Sequence, residues 1–202
     1  MNSDNNGTGK HICVYSSSSD MVAPEYFAVA RELGAAIAQR GHTLVFGGTN
    51  VGLMGACAKA AHQGGGKVIG IIPSFIADRG LAYAKADELI VTSDMRQRKA
   101  IMEERADAFV ALPGGFGTLE EMFEIITLKQ LQQHNKAIVF LNAAGYYGPL
   151  AAALEHMYEA QFAKPAYRQM YSIAPDVATA IKHVESYRPA ELPSKWFVTK
   201  NG

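Results

Sequence analysis

Ala108-Phe109-Val110-Ala111-Leu112-Pro113-Gly114-Gly115-Phe116-Gly117-Thr118-Leu119-Glu120-Glu121 is an apolar run that passes through a glycine turn straight into a segment with apolar residues at helical spacing. A strand, a turn and a helix in that order form the unit from which parallel sheets are wound, because parallel neighbours need a crossover between them. The same alternation continues on both sides. Strands are expected at residues 11–15, 43–46, 67–72, 88–92, 108–112, 137–141 and 170–173, and most are nearly continuous in apolar residues, as strands covered on both faces must be. Helices are expected over residues 24–40, 52–63, 95–106, 119–132, 147–160 and 174–186. Pro24 suits a first helical turn, Gly41 a C-terminal cap, and Gly64-Gly65-Gly66 a stop. The pattern predicts an α/β, Rossmann-like three-layer fold with a central parallel sheet of about seven strands flanked by helices. Residues 73–87 read as one long irregular connection, the kind that forms pocket walls or lids.

The chain has 202 residues, with 19 basic and 19 acidic side chains and no net charge, so nothing overall draws it to nucleic acid or an anionic membrane. One catalytic domain is expected over residues 11–188, after a disordered polar lead-in at 1–10 and before a tail at 189–202 in which Trp196 covers a core edge or an interface. Cys13 and Cys57 form no metal-ligand spacing and read as core thiols in a reducing compartment. His42, His62, His134 and His156 likewise lack zinc spacing. There is no secretory leader and no run approaching the ~20 apolar residues of a bilayer span, so the expected location is the cytoplasm.

Three segments carry the chemistry. In the first, Gly114, Gly115 and Gly117 are expected to take positive φ and to bring the backbone close to a ligand, while the free N–H groups of the helix start attract an anion, with phosphate the natural guest. The turn is neither the dinucleotide fingerprint nor a Walker loop. A structural alternative stands beside this: Thr118 to Glu121 has the spacing of a capping box, which explains those two residues but not three glycines. The second segment, Gly47-Gly48-Thr49-Asn50-Val51-Gly52-Leu53-Met54-Gly55, also joins a strand to a helix, and either faces the first turn across a cleft or only permits tight helix–sheet packing. The third places Arg96, Arg98 and Lys99 at a helix start, against the helix dipole; either one serves a ligand, or Asp94 and Arg98 form an ordinary i,i+4 pair. Ser16 to Ser19 sit where a ligand is reachable, though serines are also ordinary helix-start residues.

Taken together, these segments resemble the Lonely Guy family, the cytokinin riboside 5′-monophosphate phosphoribohydrolases formerly labelled lysine decarboxylases. Pro113 to Glu121 matches the family's Pro-Gly-Gly-x-Gly-Thr-x-x-Glu motif, Met95 to Ala100 resembles its Met-x-x-Arg-Lys-Ala segment, and Gly52 to Gly55 its second glycine turn. The resemblance implies that Arg98 and Glu121 are the catalytic pair and that Gly114, Gly115, Gly117 and Thr118 hold the 5′-phosphate. Met95 would line the base pocket, Glu120 or Glu124 would assist on the same helix as Glu121, and Lys99, Gly47, Gly48, Thr49 and Ser17 would join the substrate-binding residues. It further implies cleavage of the N-glycosidic bond of a nucleoside 5′-monophosphate, AMP among them, by a homodimer that needs neither metal nor organic cofactor. No lysine has a recognisable pyridoxal phosphate context, and a nucleotide-binding module without turnover is the alternative. Two departures bear on substrate preference: Ser16-Ser17-Ser18 stands where Cys-Gly-Ser is common, and Gly-Gly-Thr-Asn where Gly-Gly-Gly-Ser is usual.

Overall fold

The computed structural model describes residues 9–195, so Trp196 and nearly all of the polar lead-in lie outside the described residues. The chain runs β1 (His11–Tyr15), α1 (Pro24–Gln39), β2 (Thr43–Phe46), α2 (Gly52–Gln63), β3 (Val68–Pro73) and a single helical turn α3 (Ser74–Ile76). It continues through β4 (Glu88–Thr92), α4 (Met95–Arg105), β5 (Ala108–Ala111), α5 (Phe116–Gln130), β6 (Ala137–Leu141), α6 (Gly148–Glu159), β7 (Ser172–Ala174) and α7 (Val177–Ser186). All seven strands are parallel, in the order β4-β3-β2-β1-β5-β6-β7.

That order has one reversal. From β1 the chain builds outward through β2, β3 and β4, then returns to lay β5 on the other side of β1 and builds the opposite way. Connections leaving β1 and β5 therefore diverge to opposite faces and leave a crevice at the strand ends, the place where open α/β sheets bind ligands. Alternation of side chains along each strand makes the two flanking layers. Ile12, Val14, Leu44, Phe46 and Val110 pack with residues of α1, α2 and α7, whereas Cys13, Tyr15, Val45, Phe109 and Ala111 pack with residues of α4, α5 and α6. Both cysteines are buried and unpaired, as core thiols. Among the described residues no helix is long and apolar enough to cross a membrane.

Beyond shifts of one or two residues at other ends, four expectations about the elements are corrected. Residues 73–87 are not irregular throughout: α3 runs into a π-helical turn over Ala77–Leu81 that contains Gly80 at φ 73°. The segment is tied to the second glycine turn by a bridge from Thr49 to Ala82 and by bonds from Asn50 N to Leu81 O and from Tyr83 N to Gly48 O, both 2.8 Å, because backbone groups beside a core need partners. β7 starts later than expected because Pro165 opens a 3-10 turn that runs to Met170. α7 starts at Val177 because Asp176 caps it, accepting from Thr179 N at 2.7 Å. The fourth correction, the start of α5, lies in the site.

Candidate active site

Asp94 decides where the cations of α4 go. Its carboxylate accepts from the backbone of Arg96 (2.8 Å) and Gln97 (2.9 Å), capping the helix. It is thereby used by the backbone, and the Asp94–Arg98 pair, the alternative to a ligand role, does not form. Arg96 stays exposed, and Lys99 binds Glu120 and Glu124 on α5. Arg98 turns inward and is only 5% exposed. Its Nη1 donates to Glu121 Oε1 at 2.9 Å and its Nε to Ile71 O at 3.3 Å. The guanidinium lies against Gly47, where an added Cβ would come within 2.1 Å of Nη2. That glycine is what leaves room for the arginine.

Glu121 reaches the same point from α5. The helix begins at Phe116, with Gly115 as N-cap in extended backbone, so Thr118 lies inside the first turn and caps nothing. The capping-box reading is thus overturned: Glu121 is one turn too deep to reach back, and its carboxylate goes to Arg98 instead. It is 4% exposed, and burial pushes its pKa up to about 7 against the opposing pull of Arg98. A carboxyl poised near neutrality is suited to exchange a proton with a reacting group.

The glycine turn after β5 has a different geometry from that expected. None of Gly114, Gly115 and Gly117 has positive φ. Gly114 makes room for Thr118, whose Oγ1 lies 2.1 Å from where a Cβ would be, while Gly115 and Gly117 face open space. The first bond of α5 runs from Leu119 N to Gly115 O at 3.1 Å, so the amides of Phe116, Gly117 and Thr118 precede the helical ladder and are left without intrahelical acceptors. Positive φ is found instead in the second turn, at Gly48 (74°) and Gly52 (59°). Gly48 packs against the sheet, where its Cβ would strike Ile72 of β3, whereas a Cβ at Gly52 would strike the backbone of Ser17 and Ser18 after β1 and one at Gly55 the backbone of Asn50 in its own turn, so these two serve loop contacts rather than helix–sheet packing.

A cleft of about 360 Å³ joins these parts at the ends of β1, β2 and β5. It brings together Ser17, Gly47, Thr49, Met95, Arg98, Gly115, Gly117, Thr118, Glu120 and Glu121. Gly48 and Lys99 do not line it, and Gly114 lines an adjoining pocket with Tyr26 and Tyr146, whose hydroxyl donates to Gly114 O at 2.7 Å. The serine run Ser16 to Ser19 lines the cleft, as its place after β1 suggested, while sequence reasoning missed Met54, Ile76 and Phe116 as cleft residues. Ile76 belongs to the 73–87 connection, which is in this respect the pocket wall its length suggested. The serines cap nothing at α1, whose N-cap is Ala23, and Asp20 accepts from Gly52 N at 2.8 Å. A larger apolar groove of about 510 Å³ lies away from this edge, lined by Phe123, Leu154, Met157 and Phe162, and holds no carboxylate.

Comparison with known proteins places the chain in a family. A family model described as possible lysine decarboxylase matches residues 54–184. A cytokinin riboside 5′-monophosphate phosphoribohydrolase of Arabidopsis thaliana is 40% identical over 188 residues, covering 92% of this chain and 87% of its own. The chain belongs to the Lonely Guy family. Another member, a probable cytokinin riboside 5′-monophosphate phosphoribohydrolase of Oryza sativa subsp. japonica, is 41% identical over 180 residues, 89% of this chain and 74% of its own. Among solved structures, the molybdenum cofactor carrier protein of Chlamydomonas reinhardtii superposes with a TM-score of 0.68 at 28% identity, covering 88% of this chain and 97% of that one. The Lonely Guy fold is thus shared with a protein named for carrying a cofactor.

Proposed function

We propose that this chain hydrolyses the N-glycosidic bond of cytokinin riboside 5′-monophosphates, and of AMP, releasing the free base and ribose 5-phosphate. The reading is carried by the buried Arg98–Glu121 pair, 2.9 Å apart, in the same cleft as the unpaired amides of the α5 start. The amides of Phe116, Gly117 and Thr118 would hold the phosphate, assisted by the helix dipole. The carbon–nitrogen bond breaks with both electrons leaving on the base, and positive charge develops on the sugar. The Glu121 carboxylate stabilises that charge, takes a proton from the water whose oxygen bonds to the anomeric carbon, and passes it to the departing base, which leaves the carboxylate as it began. Arg98 is too basic to donate one. It fixes the carboxylate and supplies charge stabilisation, while Met95 and Thr49 border the space for the base.

The test is release of adenine from AMP and of base from an N6-isopentenyl analogue. Glu121→Gln should lower kcat by about 10²–10⁴-fold and leave nucleotide affinity within a few-fold. Nucleotide binding without base release by the unaltered protein would favour the non-catalytic module, a reading supported by the likeness to the molybdenum cofactor carrier. The family resemblance also supports a homodimer, to be tested by light scattering. The buried, unpaired thiols of Cys13 and Cys57 suit a reducing compartment such as the cytoplasm.

A further inference from the structure

Ser16 is 2% exposed, lines the cleft, and its Oγ is the one buried side-chain polar atom among the described residues that has no hydrogen-bond partner. Buried hydroxyls are normally satisfied, so an orphan on the wall of a site calls for a guest that completes it. The hydroxyl is held on a fixed frame. On one side Leu112 N donates to Tyr15 O at 2.9 Å, and on the other Ser17 N donates to Pro113 O at 3.2 Å, so the exit of β1 is fastened to the turn that leads into α5.

Strand order says which part of a ligand Ser16 meets. The phosphate turn follows β5, Ser16 follows β1, and Gly47, against which Arg98 rests, follows β2. Ser16 therefore follows the strand that lies between the one leading into the anion-binding turn and the one whose exit Arg98 rests against. In a nucleoside monophosphate the group between the phosphate and the scissile bond is the ribose, whose hydroxyls both donate and accept, as a serine does. We infer that Ser16 is a substrate-binding residue whose hydroxyl bonds a ribose hydroxyl and makes this chain selective for ribonucleotides over the corresponding deoxynucleotides. The inference rests on the phosphoribohydrolase reading, and it concerns a position where this chain has serine and its family commonly has cysteine.

Ser16→Ala should retain or gain thermal stability, because in the free protein the hydroxyl has no partner to lose. It should lower kcat/KM for AMP about tenfold, and this loss should vanish with whichever of 2′-deoxy-AMP and 3′-deoxy-AMP lacks the partner hydroxyl. An equal loss on all three nucleotides, or none on AMP, overturns the inference and leaves the enzymatic reading intact. If the unaltered protein releases no base from any nucleotide, that reading falls by itself. Calorimetry with ribose 5-phosphate and its 2-deoxy and 3-deoxy forms then decides on Ser16: a tenfold weakening confined to sugars that carry the partner hydroxyl supports it, and identical behaviour of variant and parent overturns it.

Discussion

Arg98 and Glu121 have lost nearly all contact with water, and for the carboxyl this outweighs the cation beside it. If ionised Glu121 is the working form, kcat/KM should fall as pH drops below about 7, the value to which burial pushes its pKa. The sign for stability is the reverse. A carboxyl whose pKa is raised on folding contributes stability that is fully present below its ordinary value of 4.5 and is lost as pH rises through about 7. Activity and this part of stability should therefore move in opposite directions over the same range. Arg98→Ala removes the charge that holds the Glu121 pKa down, so in the residual activity of the variant the acidic limb should shift to higher pH. The substrate phosphate also titrates, near about pH 6, but it does so equally for both proteins. Comparing the two pH–rate profiles isolates the carboxyl, and coincident limbs would remove Glu121 from the proton-handling role.

The helices are placed by close backbone approaches rather than by their apolar stripes alone. Gly34 of α1 faces α2 so closely that an added Cβ would lie 2.2 Å from Cys57 O. A backbone atom cannot swing aside as a side-chain end can, so Gly34→Ala should destabilise the fold by about 1–3 kcal/mol through overpacking. It should leave KM nearly unchanged at low temperature, since neither helix face carries a cleft residue there; urea denaturation and steady-state kinetics check the two halves. At this scale much was legible in advance. β1, β2, β4 and β6 fall where their apolar runs place them, and α2 ends at the glycines that follow Gln63. The start of α5 was not legible, because Thr118 and Glu121 have the spacing of a cap, whereas the real cap is the extended backbone of Gly115, which has no side chain to signal it. Ser16 was read only as part of a serine run, since the lack of a partner is a property of the packed molecule and leaves no trace in the residue order.

Across the whole molecule, Lys129 holds the β6–β7 edge to the helical layers. Its side chain is buried, and Nζ bonds Lys136 O at 2.7 Å ahead of β6, Met170 O at 2.9 Å ahead of β7, and the Tyr187 hydroxyl at 2.7 Å beyond α7. Its helical spacing from Met122, Ile125 and Ile126 puts this lysine on the buried face of α5, but its three partners are brought together only by the strand order. Burial lowers its pKa to about 8. On losing its proton the amine keeps two N–H donors for the two carbonyls, and its lone pair can accept from Tyr187, so all the contacts survive neutralisation. A base whose pKa is depressed on folding makes the protein more stable as pH rises from that value towards the unfolded 10.5. Lys129→Met should therefore be destabilising by about 1–3 kcal/mol through two stranded carbonyls, and the gap to the parent protein should widen between pH 7 and pH 9.5 (roughly the interval that separates the two protonation states). Denaturant titrations of both proteins at each pH measure it. A gap that stays constant would mean that the lysine keeps its charge inside the fold, and one that narrows would reverse the sign of its contribution.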